Sequence, residues 1–475
     1  MTVFGLSRSE APALIEPISG RTVSFADLLK RGSGIAAPLG DSRQMLFLFS
    51  RNDMFTAIAY SGSLVGSHAV ALLDAGASPT TNAALVNAYM APWLAGPRGL
   101  ADSMREQSVP IASVVTMEGG EVIRTAYPPT RLHPDLAVML VTSGTTGSRK
   151  FVRLSLGNLE SNARSIALYL GLSPDERPIA SLPFHYSFGL SVLNSHWLAG
   201  AAVVLTTESL VRPSFWDAVR AEGCTSMAGV PYTYQILERV GFREMDLPEL
   251  RMLQQAGGAL DRRLAQVYCD HMSSRGGRFY VMYGQTEATA RIAYVPPERL
   301  ADKLGSAGIS IPGGRLRIDP DDSQASEHAT GEVVYEGPNV MMGYALGSGD
   351  LRHGDELQGV LRTGDIGYLD DEGFLYLVGR SKRIAKVFGL RINLDEAEVL
   401  IREHGPAAVV AGTDAIWAFC AFGTDDSVAE LAEALARRFA LHRSALRFRR
   451  VESIPTSISG KVDYQQVQQW VTEAR

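Results

Sequence analysis

The chain has 475 residues, of which 46% are apolar and 20% charged, and its formal net charge is −6. This length exceeds what one hydrophobic core holds, so two or more domains are expected. An acidic balance without a basic stripe argues against binding to a nucleic-acid backbone. The three cysteines lie far apart in the sequence (Cys224, Cys269 and Cys420), which excludes a cysteine-rich zinc site and fits a reducing compartment.

Targeting and membrane signals are also missing from the sequence. Residues 1–29 alternate polar and apolar positions and lack the apolar stretch of a signal peptide. No apolar run approaches the roughly 20 residues that span a bilayer. We therefore expect a cytoplasmic protein with no membrane span and no nucleic-acid partner.

Short apolar runs alternate with amphipathic segments from about Leu46 to Leu260. The runs predicted to form buried strands are Ala137–Thr142, Pro178–Leu182, Ala201–Thr206, Thr225–Val230 and Arg278–Met282. Apolar residues at helical spacing predict a helix over Asn158–Leu170, with Asn158 as its N-cap. Alternating strands and helices are typical of parallel sheets covered by helices.

The pattern changes after Gly331, where short strand patterns and turns dominate. The predicted elements are the strands Gly331–Gly337 and Gly373–Val378, the turn Asp370–Gly373, the helix Leu431–Phe439 and the strand Arg447–Val451. We predict an α/β fold with two domains. A large N-terminal domain (1–380) would contain α/β subdomains with parallel sheets and a β-rich subdomain, and a small mobile C-terminal α/β domain (381–475) would follow.

A loop rich in glycine and hydroxyl groups follows the strand that ends at Thr142. It reads Ser143-Gly144-Thr145-Thr146-Gly147-Ser148-Arg149-Lys150. Backbone N–H groups in such a loop can surround phosphate oxygens, and a lysine can neutralise part of their charge. The spacing of its glycines and lysine does not fit GxxxxGK[ST]. With a preceding strand and an expected following helix, the loop is predicted to bind phosphate.

A second motif, Tyr283-Gly284-Gln285-Thr286-Glu287, follows directly on a predicted strand. An aromatic ring, a hydroxyl and a carboxylate at a strand's carboxyl end suit adenine, phosphate and Mg²⁺ respectively. Upstream, Gly257-Gly258-Ala259 provides a backbone that could lie against a planar base. Taken alone, each segment is also compatible with an ordinary loop or turn.

In this order, the motifs from Thr142 to Lys461 resemble those of the superfamily of acyl-adenylate-forming enzymes. That superfamily includes acyl-CoA synthetases, adenylation domains of peptide synthetases and beetle luciferases. The resemblance covers nearly the whole chain. It implies ATP- and Mg²⁺-dependent activation of a carboxylic acid as acyl-AMP, release of pyrophosphate, and transfer of the acyl group to a thiol.

The resemblance also implies roles for individual residues. Tyr283 would stack on adenine, and Asp365 with Arg380 would bind the ribose hydroxyls. The residues assigned to the nucleotide are Thr142, Ser143, Gly144, Thr145, Thr146, Gly147, Gly258, Ala259, Tyr283, Gly284, Asp365 and Arg380. Those assigned to catalysis are Lys150, Thr286, Glu287 (which would also bind Mg²⁺) and Lys461, the mobile lysine of the tail. Lys382 would be the hinge, and Gly389 would approach the pantetheine thiol.

The acyl pocket is expected near Pro183-Phe184-His185. Relatives that activate amino acids usually carry an aspartate at the position of His185, because a buried ammonium needs a countercharge. Histidine there argues against an α-amino acid, and Gly257 and Met282 would also belong to the pocket. His185 could instead be a core histidine hydrogen-bonded to a backbone carbonyl.

Several residues depart from the family pattern. Arg149 stands where proline is usual, Phe151 where glycine is common, Leu156 where histidine is frequent, and Arg383 where an acidic residue is frequent. These changes leave open how mobile the loop and the hinge are.

Three functions are compatible with these motifs. The favoured one is a carboxylate–CoA ligase. The second is an acyl-adenylating ligase that loads the phosphopantetheine arm of a carrier protein. The third is an inactive ATP-binding regulatory homologue, which the joint presence of the motif residues disfavours.

Overall fold

The structure, a computed structural model, describes residues 3–142, 150–320, 329–380, 383–387, 390–412, 415–438, 442–456 and 462–473. Contacts between Cα atoms divide the chain into two compact units. Among described residues, the first unit contains 3–142, 150–315 and 336–361, and the second contains 316–320, 329–335 and the residues from 362 onward. The domain boundary expected near Arg380–Lys382 stays a prediction.

The described residues include twelve α-helices. Their bounds are α1 Phe25–Ala36, α2 Met54–Val65, α3 Pro79–Tyr89, α4 Leu100–Glu106, α5 Leu156–Leu170, α6 Ser187–Leu198, α7 Pro213–Ala221, α8 Pro231–Arg239, α9 Arg262–Ser274, α10 Leu394–Arg402, α11 Asp425–Arg438 and α12 Tyr464–Glu473. Within the described residues, no helix is long and apolar enough to cross a membrane.

The strands are mostly short. Their bounds are β1 Pro12–Glu16, β2 Arg21–Ser24, β3 Met45–Ser50, β4 Ala69–Asp74, β5 Trp93–Gly96, β6 Ile111–Met117, β7 Gly120–Thr125, β8 Leu136–Thr142, β9 Lys150–Ser155, β10 Pro178–Ile179, β11 Val203–Val204, β12 Ser226–Gly229, β13 Met252–Gln255, β14 Arg278–Tyr283, β15 Ala293–Val295, β16 Ile309–Ser310, β17 Arg315–Pro320, β18 Gly331–Glu336, β19 Gly343–Ala345, β20 Val360–Leu369, β21 Leu375–Arg380, β22 Ile384–Val387, β23 Leu390–Asn393, β24 Ala407–Ala411, β25 Ile416–Cys420 and β26 Leu446–Arg450.

Two large mixed sheets form the first unit. One has the strand order β19-β9-β8-β4-β3-β5-β7-β6, and the other has the order β16-β15-β14-β13-β12-β10-β11-β1-β2. Each has a parallel centre: β5, β3, β4 and β8 in the first, and β14, β13, β12, β10, β11 and β1 in the second. The central strand β3 is buried along its whole length, as expected where both faces of a parallel sheet are covered.

One hydrophobic core joins the two sheets of the first unit. It includes Leu46 and Leu48 of β3, Val203 of β11, and the fully buried Trp197 of α6. The indole of Trp197 donates to the carbonyl of Ala13, which satisfies its polar atom within the core. This packing places the loops at the strand ends on a rigid scaffold.

The second unit contains a four-stranded sheet of order β17-β18-β20-β21, a hairpin of β22 and β23, and a sheet of order β24-β25-β26. Its tail has two apolar clusters of its own, one with Ile401 and Val409 and the other with Phe419 and Val467.

Several element predictions need correction. β10 is shorter than predicted because the chain turns at Ser181, whose N–H donates to the carbonyl of Ile179, and β11 is likewise reduced to two residues. The helix α11 begins at Asp425 rather than Leu431, since Thr424 and Ser427 cap its first turn reciprocally.

The N-cap of α5 is Ser155 rather than Asn158. The Ser155 hydroxyl accepts from the backbone N–H of Asn158, and the Asn158 side chain accepts from the N–H of Ser155. Both residue types favour caps, and a capping box uses them together.

Candidate active site

The candidate site of the first unit lies where parallel strands end. β12, β13 and β14 run parallel, so their carboxyl ends meet at one edge of the sheet. The segment Gly257-Gly258-Ala259 follows β13, and Tyr283 ends β14. Gly257 has φ +85°, and a Cβ there would lie 2.5 Å from the hydroxyl of Tyr186. Glycine is therefore required at this position for both conformation and space.

The Tyr283–Glu287 segment turns sharply after β14. A Cβ at Gly284 would lie 1.9 Å from the carbonyl oxygen of Ala290, so no other residue fits in this backbone arrangement. The hydroxyl of Thr286 lies 3.1 Å from that of Ser187, at the start of α6. The sheet edge and the first turn of α6 thus contribute hydroxyls to the same place.

Lys150, Tyr344 and Glu287 form a contact chain. The Nζ atom of Lys150 lies 3.2 Å from the ring centroid of Tyr344, a cation–π contact. The hydroxyl of Tyr344 donates to Oε1 of Glu287 over 2.7 Å. Burial, together with the charge of Glu287, raises the pKa of Tyr344 well above its ordinary value, so this hydroxyl keeps its proton.

Strand pairing brings these residues together. β19 pairs antiparallel with β9, with Tyr344 opposite Val152, and β9 pairs antiparallel with β8, with Thr142 opposite Lys150. The glycine-rich loop therefore joins two strands of a hairpin, and the helix expected directly after it comes only after β9. Ser143, Gly144, Thr145, Thr146, Gly147 and Arg149 lie outside the described residues.

Two departures from the family pattern have a packing explanation. Phe151 is fully buried, and its ring centroid lies 5.7 Å from that of Phe47 and 4.9 Å from that of Tyr89. Leu156 opens α5 and packs against the main core. Both side chains therefore contribute to the packing of the strand and helix that follow the glycine-rich loop.

His185 lies above the carboxyl ends of β3 and β4. Its Nδ1 atom is 3.3 Å from the hydroxyl of Ser50, and its Nε2 atom is 4.0 Å from Oδ2 of Asp74. Burial lowers the pKa of His185, while the charge of Asp74 acts in the opposite direction. Among the described residues, the imidazole of His185 contacts the side chains of Ser50 and Asp74, which does not match the alternative of a histidine bonded to a backbone carbonyl.

Asn52 fixes the segment that carries His185. Its amide donates to the carbonyls of Ala180 and Leu182 and accepts from the N–H of Phe184. The chain before α6 is thereby held against the loop after β3.

Met282 lies in an aromatic cluster behind the Tyr283 motif. Its sulfur accepts from the hydroxyl of Tyr169 over 3.0 Å and from Nε of Arg291 over 3.4 Å. The guanidinium of Arg291 lies 3.8 Å from the ring centroid of Phe188. The predicted pocket residue Met282 thus shares its surroundings with a buried arginine that the sequence analysis did not single out.

In the second unit, Asp365 and Arg380, the residues predicted to bind ribose, form an ion pair. They lie opposite each other on β20 and β21, and Nε of Arg380 donates to Oδ1 of Asp365 over 2.9 Å. Asp365 is 5% exposed. A carboxylate held by an arginine is of the acceptor type that binds hydroxyl donors.

The tail predictions fall mainly outside the described residues, which omit Lys382, Gly389 and Lys461. Arg383 is described, and it bonds to Asp395 over 2.5 Å and to the buried Glu398 over 2.8 Å. Its guanidinium also lies 3.8 Å from the ring centroid of Tyr464. This departure from the family pattern is therefore part of the tail's own packing.

The amino-acid sequence and the fold of this chain are similar to those of known proteins. The family model for AMP-binding enzymes matches residues 7–345. A 2-succinylbenzoate–CoA ligase from Bacillus velezensis is 30% identical over 465 residues, which is 93% of this chain and 92% of that protein. The chain belongs to the AMP-binding enzyme family. The sequence prediction of an acyl-adenylate-forming enzyme is thereby confirmed.

Solved structures of this family share the fold. The o-succinylbenzoate CoA synthetase from Bacillus subtilis, in complex with its acyl-adenylate intermediate, superposes with a TM-score of 0.78 at 24% identity over 98% of both chains. The fatty acyl CoA synthetase from Mycobacterium tuberculosis gives a TM-score of 0.72 at 19% identity over 98% of this chain and 96% of that one. The predicted α/β fold class is confirmed.

The donor set of this AMP-binding enzyme fits Mg²⁺ rather than a protein-enclosed metal. Among the residues that the structure describes, no group of three or more His, Cys, Asp or Glu is placed to hold an ion. Glu287 supplies one half-buried carboxylate whose Oε1 accepts from Tyr344. Mg²⁺ is typically bound by one or two carboxylates together with substrate phosphates and waters.

Several residues of the site escaped the sequence analysis, namely Ser50, Asn52, Asp74, Ser187, Arg291 and Tyr344. For Ser50 and Asp74 a signal exists, since each is the polar residue that ends a buried strand. The sequence around Tyr344 does not indicate a functional role. Tyr344 and Glu287 are separated by 57 residues in the sequence, and only strand pairing brings them into contact.

Proposed function

We propose that this enzyme activates an aryl-substituted carboxylic acid of the 2-succinylbenzoate type as acyl-AMP and transfers the acyl group to CoA. The observation that supports the proposal is the contact of Tyr344 with both Lys150 and Glu287, the residue after Thr286. The chain that contains this arrangement is similar over nearly its full length to a 2-succinylbenzoate–CoA ligase. The predicted class of reaction, an AMP-forming ligation of an acid to a thiol, agrees with this family membership. The predicted use of ATP, Mg²⁺ and CoA also agrees, since a relative was solved with ATP and magnesium.

In the first half-reaction, a carboxylate oxygen of the acid attacks the α-phosphorus of ATP. The bond from that phosphorus to the bridging oxygen breaks, and pyrophosphate leaves with its electron pair. Negative charge on the phosphoryl oxygens is the main obstacle, so correctly placed cations and donors lower the barrier. Lys150 would face the departing phosphates, and the hydroxyl of Thr286 would donate to the α-phosphate.

Bound Mg²⁺ would neutralise phosphate charge beside Glu287. The role of this chain's own residues is to fix that carboxylate. Tyr344 holds one oxygen of Glu287 while its ring supports the ammonium of Lys150. We infer that Tyr344 holds the Glu287 carboxylate and the Lys150 ammonium at a fixed distance from each other, so that both can interact with the triphosphate of ATP.

In the second half-reaction, the thiol sulfur attacks the acyl carbonyl carbon and AMP leaves. The proposed acceptor is CoA, which is the acceptor named for the relatives. Loading of a carrier protein's phosphopantetheine arm remains the alternative, because it uses the same sulfur chemistry. Lys461 and Lys382 are proposed as catalytic lysine and hinge on the strength of the sequence motifs.

The experiment is a pyrophosphate-release assay with ATP and Mg²⁺ across aliphatic, aryl, succinylbenzoate-type and amino acids. Each acid is tested with and without CoA, and with a holo-carrier protein in a parallel series, while mass spectrometry identifies the thioester. Lys461→Ala and Lys150→Met serve as variants of the reaction centre. An exposed arginine variant, Arg164→Gln, serves as the control.

We expect release that depends on an aryl acid, collapses in Lys461→Ala and yields acyl-CoA. Thioester formation on the carrier but not on CoA would replace the proposed acceptor. ATP binding without release for any acid would support the inactive regulatory homologue instead.

A further inference from the structure

Arg291 is a buried cation in the aromatic cluster next to the predicted acyl pocket. It is 1% exposed, and its backbone is fixed, since its carbonyl accepts from the side-chain amides of Asn162 and Asn339. The N–H of Ile292, the next residue, donates to the carbonyl of Tyr283. The position of Arg291 is therefore set by the same turn that carries Glu287.

The side chain of Arg291 lacks an anionic partner among the residues that the structure describes. Its Nε donates to the sulfur of Met282, a weak acceptor, and its guanidinium faces the ring of Phe188. Its Nη2 atom is buried and has no hydrogen-bond partner within the described structure. Burial lowers the pKa of Arg291, and the groups acting in the opposite direction are Tyr169 and Tyr186 rather than a carboxylate.

An unpaired guanidinium in a protein interior is strongly unfavourable, and buried arginines are normally paired. A carboxylate of a bound substrate would supply the anion that Arg291 lacks among the described residues. The planar fork of arginine favours a carboxylate, which it binds through two parallel hydrogen bonds.

The location of Arg291 indicates which molecule brings this anion. Phe188 faces the guanidinium, while Ser187, the preceding residue, contacts Thr286 of the reaction centre. Met282 and Tyr186 connect the cluster to Gly257, against which the Tyr186 hydroxyl packs. Ser187 and Phe188, the first two residues of α6, therefore contact Thr286, which is proposed to bind the α-phosphate, and Arg291 respectively.

We propose that Arg291 is a specificity-determining residue that pairs with a second carboxylate on the acid substrate. The inference rests on the proposed function and assigns the carboxylate of the substrate that is not activated to Arg291. The side chains of Phe188, Tyr169 and Tyr186 belong to the same apolar cluster, and aromatic side chains suit contact with an aryl group between the two carboxylates. The flexible side chain of Met282 can yield its weak contact with Arg291 to the stronger acceptor.

The test uses two acids that differ in one group. 2-Succinylbenzoate carries a ring carboxylate, and 3-benzoylpropionate is the same molecule without it. Pyrophosphate release and equilibrium binding by calorimetry are measured for both acids. The proteins are the unaltered chain, Arg291→Gln, Arg291→Lys and the exposed control Arg164→Gln. Unfolding temperature and ATP affinity establish that each variant is folded.

We expect the unaltered chain to favour the diacid by about 100-fold in kcat/KM, the size of a charge-assisted hydrogen-bond pair. Arg291→Gln should lower kcat/KM far more for the diacid than for the monoacid, so that the preference disappears, and Arg291→Lys should retain part of it because the charge remains. Arg164→Gln should behave as the unaltered chain. Equal use of the two acids, or an equal loss for both acids in Arg291→Gln, would overturn the inference.

Binding separates this inference from the proposed function. Arg291-dependent binding of the diacid without any pyrophosphate release would support the pairing and reject the proposed reaction. Release with monoacids but no Arg291-dependent preference would support the reaction and reject the pairing. If neither acid binds or reacts, both are rejected.

Discussion

The hydroxyl of Tyr344 donates a 2.7 Å hydrogen bond to Oε1 of Glu287, and its ring lies beneath the ammonium of Lys150. Tyr344 thereby links the edge strand β19 to the loop after β14. The two charged groups expected to meet the triphosphate from opposite sides contact the same side chain. Its position suggests that the ring and the hydroxyl have separable functions.

The substitution Tyr344→Phe separates them, because it keeps the ring and removes the donor. A hydrogen bond to a charged group contributes about 1.5–3 kcal/mol, so kcat/KM for adenylation should fall about 10- to 100-fold. The Mg²⁺ concentration for half-maximal activity should change as well, since Glu287 loses its fixed orientation. Pyrophosphate release across a Mg²⁺ titration measures both effects.

Tyr127→Phe is the matched control, because it removes an exposed hydroxyl that donates to Asn87. It should leave activity within about twofold, as expected for a surface hydrogen bond. An unchanged Mg²⁺ dependence in Tyr344→Phe, with Tyr127→Phe also unchanged, would show that the bond does not position Glu287.

The positions of Tyr283 and the Gly257–Ala259 segment could be predicted because each follows a buried strand whose apolar run is visible in the sequence, whereas their assignment to adenine and that of the glycine-rich loop to phosphate stay predictions. Tyr283 and the Gly257–Ala259 segment both lie at the edge where parallel strands end, as expected. The partners of these residues could not be predicted in the same way. Tyr344 reaches Glu287 through β19 pairing with β9, and His185 contacts Ser50 across 135 residues of sequence.

The wrong N-cap prediction for α5 arose because two neighbouring residues both favour that position. Ser155 and Asn158 are both good cap residues, and single-residue preference does not reveal that they bond reciprocally. Arg291 was missed for a different reason. A charged residue between apolar ones usually marks a solvated position, and the burial of Arg291 depends on packing by Phe188 from a distant segment as well as by the nearby Met282.

Asp365→Asn tests the nucleotide contact in the second unit. The variant keeps the shape of the side chain but loses the charge that pairs with Arg380 and one acceptor for ribose hydroxyls. We expect KM for ATP to rise about 10- to 100-fold, with a smaller change in kcat, because the contact is made in ground and transition states alike. Steady-state kinetics at saturating acid measure both constants.

Asp371→Asn is its control, since Asp371 is exposed in the turn that joins the same two strands. An ATP KM that changes equally in both variants would indicate a general effect on the β20–β21 hairpin. In that case the ribose role of Asp365 would be rejected.

His196 should make stability depend on pH. It is fully buried, and burial lowers its pKa to about 4, although the Val192 carbonyl bonded to Nδ1 acts in the opposite direction. The unfolded chain binds a proton at this residue near pH 6.5, whereas the folded chain does not until about pH 4. The free energy of unfolding is therefore unaffected by the protonation of His196 above pH 6.5. It decreases as the pH falls toward 4, by about 3 kcal/mol in all, because only the unfolded chain takes up the proton.

The comparison is with His196→Gln, which cannot titrate, and with His404→Gln at an exposed position. Unfolding temperatures between pH 7 and pH 4.5 should fall more steeply for the unaltered chain and His404→Gln than for His196→Gln. Parallel curves for all three proteins would reject the assignment.

Arg383 should determine the stability of the tail. Its guanidinium bonds to Asp395 and Glu398, and the carboxylate of Glu398 also accepts from Arg402, Tyr464 and the N–H of Val409. The Arg383→Gln variant leaves Glu398 buried with part of its compensation removed, and losing one partner of a buried ion pair costs about 3–5 kcal/mol. Arg383→Glu should cost more, because a third carboxylate would join Asp395 and Glu398.

Limited proteolysis with peptide identification measures this effect, because it reports opening of the tail without assuming that the whole chain unfolds in one step. We expect faster cleavage within residues 383–473 in both variants, in the order Arg383→Glu, Arg383→Gln, unaltered chain. Arg437→Gln, on the exposed face of α11, should cleave like the unaltered chain. A cleavage rate that Arg383→Glu leaves unchanged would mean that the tail does not depend on this cluster, and Arg383 would then need another explanation.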